Sequence, residues 1–166
     1  MSFLIIIRGP LGIGKSTLAH HLAKKINAKI IAIDRVLDKH NLTRHKERGF
    51  ISQKSFIKAN VLMIPKIKAY FKKGFPVIVE GNFYWKSQID DLLQRIKQPT
   101  FVFTLKAPLP LCIERDRTRS QTCGKDAARV VYKKSTEFKY GIMIDVSKRT
   151  ITQSVKEIVR HLPFKN

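Results

Sequence analysis

Phe3-Leu-Ile-Ile-Ile-Arg-Gly-Pro-Leu-Gly-Ile-Gly-Lys-Ser-Thr17 is the stretch on which the reading of this chain turns. Phe3 to Ile7 is an unbroken apolar run, the pattern of a parallel strand covered on both faces, and it predicts the central strand. Gly9 to Ser16 then satisfies G-x-x-x-x-G-K-[ST], and from Lys15 to Ile26 the residues Leu18, Ala19, Leu22, Ala23 and Ile26 fall on one helical face. Strand, glycine-rich loop and helix in that order make a phosphate-binding P-loop. Its glycines let consecutive N–H groups converge on phosphate oxygens, and the helix N-terminus adds a positive dipole end. The expected nucleotide contacts are Gly9, Gly12, Ile13, Gly14, Lys15, Ser16 and Thr17. Lys15 reaches the β and γ phosphates as a point charge, and the Ser16 hydroxyl is placed to ligate Mg²⁺, so ATP and Mg²⁺ are the expected ligands.

Outward from the loop, short apolar runs alternate with segments of helical period, which predicts an α/β fold. Strands are expected at Lys29–Ile33, Pro76–Glu80, Thr100–Leu105 and Gly141–Asp145, giving a five-stranded parallel sheet flanked by helices. A helix from about Ser52 presents Ile57, Val61, Ile64, Ile67 and Phe71 at helical spacing, with Gly74 as its C-terminal cap and Pro65 kinking or splitting it. A second helix turns Ile89, Leu92, Leu93 and Ile96 inward, and a last one opens on a capping box, Thr150 with Gln153, and buries Val155, Ile158, Val159 and Leu162. The 166 residues correspond to one domain by length.

Composition narrows the class further. The chain is 43% hydrophobic and 27% charged, a globular balance. Apolar runs such as Phe3–Ile7 fall far short of the ~20 residues of a membrane span and of a secretory leader, so a cytoplasmic protein is expected. Cys112 and Cys123 lack paired metal-site spacing and read as plain thiols. The net charge is +21, with 16 Lys and Arg against 4 Asp and Glu in the first 83 residues and 17 against 8 in the rest. Such a chain attracts polyanions, nucleic acid included, although a solvated lysine-rich surface gives the same count.

With its P-loop at the start of the sequence and no base-reading motif of the GTPase type, the chain resembles the small P-loop kinases, within them the group of polynucleotide 5′-kinases, zeta toxins and chloramphenicol phosphotransferase. The resemblance implies a three-layer P-loop kinase fold with a short lid, dividing the domain into a P-loop at 9–17, an acceptor-binding region at about 34–75 and a lid at about 111–128. It implies that Asp34, in Ile30-Ile-Ala-Ile-Asp34-Arg35, is the general base that accepts the proton of the acceptor hydroxyl, with Arg35 beside it in the substrate-binding set. The position also suits the carboxyl end of a strand in an open α/β sheet, while the residues alone leave an N-cap open. In Val77-Ile-Val-Glu80-Gly-Asn82, the resemblance gives Glu80 a metal-bound water or substrate contact and Asn82 a hydrogen bond to the acceptor; a plain strand-end acid is the alternative. Leu111-Cys-Ile-Glu-Arg115-Asp-Arg117-Thr-Arg119 resembles the lid helix, which makes Arg115 and Arg119 catalytic charges on the transferring phosphoryl. Ile142-Met-Ile-Asp145-Val-Ser-Lys148-Arg149 resembles the strand and loop beside adenine, which places Arg149 among the nucleotide contacts.

The implied reaction moves the γ-phosphate of Mg·ATP to a hydroxyl. Residues 35 to 75 hold 11 Lys and Arg against 2 Asp and Glu, which tilts the acceptor toward a nucleotide-like molecule or a nucleic-acid 5′-hydroxyl. Phe50, Phe56, Tyr70 and Phe71 are interleaved with these charges; an exposed aromatic there would stack on a base, while those at 56, 70 and 71 read rather as core. The alternative is an ATP-binding NTPase module with a nucleic-acid-linked regulatory role and no phospho-acceptor.

Overall fold

In the computed structural model, which describes residues 1–118 and 125–164, the chain runs β1 (Leu4–Arg8), α1 (Lys15–Ile26), β2 (Lys29–Ala32), α2 (Ile33–Lys39), β3 (Lys46–Glu47), β4 (Phe50–Ile51), α3 (Gln53–Lys72), β5 (Val77–Glu80), α4 (Lys86–Arg95), β6 (Thr100–Lys106), α5 (Leu109–Arg117), α6 (Lys125–Ser135), β7 (Ile142–Asp145) and α7 (Ile151–Arg160). The five long strands form one parallel sheet in the order β2-β5-β1-β6-β7, with β1 in the middle as its apolar run predicts. Pairing of Ile7 with Glu80 and of Arg8 with Thr104 brings the carboxyl ends of three strands level beside the P-loop.

Every residue of β1 is buried, and its side chains serve two cores in alternation. Leu4 and Ile6 pack with Phe56, Met63 and Ile89 on one side of the sheet. Phe3, Ile5 and Ile7 pack with Leu18, Leu22, Phe103 and Ile158 on the other. A fully buried isoleucine contributes roughly 1.5–3 kcal/mol relative to an exposed one, so this strand anchors both layers of helices. The capping box forms: Gln153 N–H donates to Thr150 Oγ1 at 3.2 Å and Thr150 N–H to Gln153 Oε1 at 2.8 Å.

Three expectations are corrected. α3 runs unbroken through Pro65 rather than splitting. Pro65 and Val61, whose carbonyl loses its intrahelical donor, both lie on the exposed face, where the carbonyl is open to solvent. The inner face of α3 is Phe56, Ala59, Asn60, Met63, Ile67 and Phe71, while Val61 is 46% exposed. The periodicity reading missed this register because it passed over Asn60, whose amide is buried by donating to Gln88 O at 2.9 Å and Asp91 Oδ2 at 3.0 Å. β2 ends one residue early, at Ala32, and Ile33 already opens α2.

The hairpin β3–β4 is unforeseen. Arg48 and Gly49 both take positive φ, 51° and 83°, the backbone of a two-residue turn that matches strand twist. Trp85 Nε1–H donates to Ile51 O at 2.8 Å and fastens the hairpin to the loop after β5.

The register of α3 makes a prediction. Phe56→Ala is expected to lower unfolding stability by about 3–5 kcal/mol in denaturant titration, and Val61→Ala to change it by no more than about 0.5 kcal/mol. Equal losses at both positions would refute the assigned face.

Candidate active site

Residues 9 to 14 leave β1 with Gly9, Gly12 and Gly14 at φ 153°, 76° and 96°. Gly14 is the N-cap of α1 and supplies no side-chain cap, so the first amides of the helix stay available to a ligand anion. Gly12 has a further constraint. A Cβ there would lie 2.3 Å from Cys112 O and 3.1 Å from Asp116 N, so the loop backbone rests directly on α5. Buried Lys15 folds back over its own loop, its Nζ donating to Gly9 O at 3.0 Å and Pro10 O at 2.8 Å. A compact ammonium held this way sits over the cradle as a point charge.

A cavity of about 520 Å³ adjoins the loop and takes in Glu80, which ends β5, and Asp34, which follows β2; its lining includes Lys15, Ser16, Asp34, Glu80, Asn82 and Arg115. Glu80 is buried, and Ser16 Oγ donates to its Oε1 at 3.1 Å. A hydroxyl and a carboxylate side by side form a hard-oxygen donor pair, which suits Mg²⁺ completed by phosphate oxygens and water. The described residues contain no cluster of three or more His, Cys, Asp or Glu that would make an all-protein metal cage. Ser16 and Glu80 therefore fit the expected ion.

Asp34 is not an N-cap: Ala32 holds that place, and Asp34 stands in the first turn of α2 with its carboxylate toward the cavity. Asn82 Nδ2 donates to its Oδ2 at 3.5 Å, and Asn82 Oδ1 is buried without a partner. Gly81 permits the approach, because a Cβ there would meet Ile33 Cγ2 at 2.6 Å and both Asp34 carboxylate oxygens at 3.4 Å. Burial pushes the Asp34 carboxyl up to about 6, and Glu80 pushes the same way, while Lys15 opposes them. A carboxyl ionising at that pH is matched to taking a proton near neutrality.

The remaining predicted residues divide. Arg115 donates from an Nη to Ile13 O at 3.3 Å, placing one guanidinium against the P-loop. Arg149 lines the cavity and donates to Asp145 O at 3.1 Å. Gly12, Ile13, Gly14 and Thr17 line the cavity as well, whereas Gly9, expected among the nucleotide contacts, is buried and does not line it. Arg35 is exposed on α2 and does not line the cavity. Arg119 and Cys123 lie outside the described residues, and α5 ends at Arg117. Sequence reading missed Val146, Ile151 and Ser154, which wall the cavity beside Arg149. The capping box at Thr150 held the signal for two of them, since it places Ile151 and Ser154 in the first turn of α7.

Residues 4–139 match the model of a family described as AAA domain. The chain belongs to the AAA domain family. Solved structures show how widely this AAA domain shares its fold. A sugar kinase from Janibacter sp. HTCC2649 superimposes with a TM-score of 0.78 at 15% identity, over 96% of this chain and 94% of that one. A gluconokinase from Sinorhizobium meliloti 1021 gives 0.72 at 15% identity, over 94% and 89%. The tunicamycin resistance protein of Deinococcus radiodurans gives 0.71 at 19% identity, over 99% and 98%. Among curated proteins no sequence matches. The fold is thus that of the small P-loop kinases. Among the described residues no helix is long and apolar enough to cross a membrane.

The contact between Gly12 and α5 yields a test. Gly12→Ala is expected to weaken Mg·ATP binding at least tenfold in calorimetry, because the added methyl drives the loop off α5. Unchanged affinity would contradict the assigned loop geometry.

Proposed function

We propose that this chain is an ATP-dependent phosphotransferase that moves the γ-phosphoryl group of Mg·ATP to a hydroxyl acceptor. One observation carries the reading. A buried lysine on a glycine-rich anion cradle and a carboxyl group with an elevated pKa line a single cavity, the two ends that an in-line transfer needs.

The P-loop amides and Lys15 hold the triphosphate. The Ser16 hydroxyl and Glu80 carboxylate would hold the magnesium ion, whose positive charge offsets that of the phosphates. Asp34 accepts the proton of the acceptor hydroxyl while the new O–P bond forms; the bond from the γ-phosphorus to its bridging oxygen breaks, and ADP leaves with that electron pair. Arg115, already against the loop, stabilises the charge spread over the phosphoryl oxygens. Arg149 and the apolar wall of Val146 and Ile151 suit the nucleoside end.

The acceptor side of the cavity is formed by Asp34 and Asn82, an acid and an amide, with none of the basic residues of the 35–75 cluster. Such a lining hydrogen-bonds neutral hydroxyls and repels phosphate. The reacting end of the acceptor is therefore an uncharged polyol or ribose, which suits the sugar kinase and gluconokinase among the similar structures. Phosphates carried by a nucleotide-like or nucleic-acid acceptor would lie outside, along the exposed Arg35, Lys39, Arg44 and Lys46.

Incubation with [γ-³²P]ATP and a panel of sugars, nucleosides and 5′-hydroxyl oligonucleotides tests the reading. Label retained on an acceptor is the expected result; label released only as free phosphate would assign an NTPase instead. Asp34→Asn is expected to lower transfer by about 10²-fold or more. Its melting temperature should equal or exceed that of the parent at pH 7 to 8, since a carboxyl with a raised folded pKa costs stability once ionised and regains it as pH falls below about 6. Transfer should decline below pH about 6, approaching tenfold per unit, as Asp34 takes up its proton. A rate indifferent to acid down to pH 5 would remove Asp34 from the role of base.

A further inference from the structure

Arg8, the last residue of β1 and the neighbour of Gly9, is fully buried in a place where an apolar side chain would complete the strand. No carboxylate pairs with it among the described residues. Its guanidinium is instead shared among backbone carbonyls from separate segments. One Nη donates to Ser135 O at 2.8 Å and to Phe83 O at 3.4 Å. The other donates to Thr104 Oγ1 at 3.1 Å and Phe138 O at 3.4 Å, and the group lies 4.3 Å from the centre of the Phe138 ring. Its Nε is buried with no partner. Burial draws its pKa down to about 10, so the charge persists at neutral pH.

A buried cation without an anion is costly unless the geometry requires it. Here the planar fork of five donors spans what no apolar residue could. Phe83 follows Asn82 in the loop that faces Asp34, and Ser135 is the last residue of α6, the helix after the expected lid. Its carbonyl belongs to the negative end of that helix, which attracts the guanidinium. Thr104 extends the joint, its hydroxyl donating to Tyr140 O at 2.7 Å. Beside Ser135, Lys134 lies 3.8 Å from the Trp85 ring, which itself holds the β3–β4 hairpin. The end of α6 is thus fastened by adjacent residues to the strand that feeds the P-loop and to the acceptor side.

We propose that Arg8 is a positioning residue: by binding the carbonyls of Phe83, Ser135 and Phe138 with one guanidinium, it fixes the acceptor loop and the end of α6 relative to the P-loop. This rests on the phosphotransferase reading above. A misplaced acceptor loop would leave ATP binding intact and slow the chemical step.

Arg8→Met and Arg8→Lys, compared with the parent, test it. For Arg8→Met the expected kcat for phosphoryl release, to acceptor or to water, falls at least tenfold while KM for ATP stays within threefold, and amide exchange over residues 135–140 accelerates. Arg8→Lys should recover part of the loss. A kcat within twofold of the parent overturns the proposal. So does a joint loss of kcat, ATP affinity and melting temperature that lysine does not relieve, since that marks a residue needed only for folding. Should the methionine variant fail to fold, Thr104→Val decides: a kcat reduced about threefold with faster exchange at 138–140 supports the joint, and unchanged values refute it. Failure of the parent chain to bind Mg·ATP is a separate result, visible before any variant is made, and it removes the phosphotransferase reading itself.

Discussion

Everything at this site depends on how the backbone between Gly9 and Gly14 is held open. Lys15 bonds the carbonyls of Gly9 and Pro10, and Gly12 rests on the Cys112 carbonyl, so the loop is pinned from inside by its own lysine and from outside by α5. Carbonyls occupied in this way leave amides to face the cavity. In the proposed transfer, fixed amides would act on a developing negative charge without reorganising, which is where most of the catalytic advantage of a preorganised site originates. Arg115 reaches the same loop from α5, so the helix that supports the cradle also brings a cation to it.

Beside the cradle, the protein concentrates acid in a chain that is otherwise strongly basic. Asp34 and Glu80 belong to only 12 acidic residues against 33 basic ones, yet both line the cavity beside Lys15. Loss of water raises the Asp34 carboxyl toward neutrality; Lys15 opposes that rise and Glu80 adds a smaller push in the same direction. The electrostatic design is one of contrast: cationic where phosphate would lie, acidic and amide-lined where a hydroxyl would enter. The basic excess of residues 35–75 belongs to the outer surface, with Arg35, Lys39 and Arg44 exposed.

Much of this was legible in the sequence because it is written in local patterns. The unbroken apolar run of β1 identified the central strand, the G-x-x-x-x-G-K-S spacing identified the cradle, and the strand-end acids Asp34 and Glu80 did come to one cavity. What remained hidden depends on contacts between distant segments. The role of Arg8 is one example, because nothing near it in sequence reveals the carbonyls 75 and 127 residues away that take its donors. The face of α3 was misjudged for a related reason: Asn60 is buried by partners on α4, which a hydropathy period cannot register. Arg35 seemed a substrate contact through its neighbour Asp34, but successive residues at the start of a helix point in different directions, and only Asp34 reaches the cavity.

Isothermal calorimetry with Mg·ATP on the parent chain and on Lys15→Ala probes the cradle most directly. The account predicts saturable one-to-one binding to the parent and an affinity at least tenfold weaker once the ammonium is removed. Absence of heat with the folded parent, or equal affinity for both proteins, would contradict it.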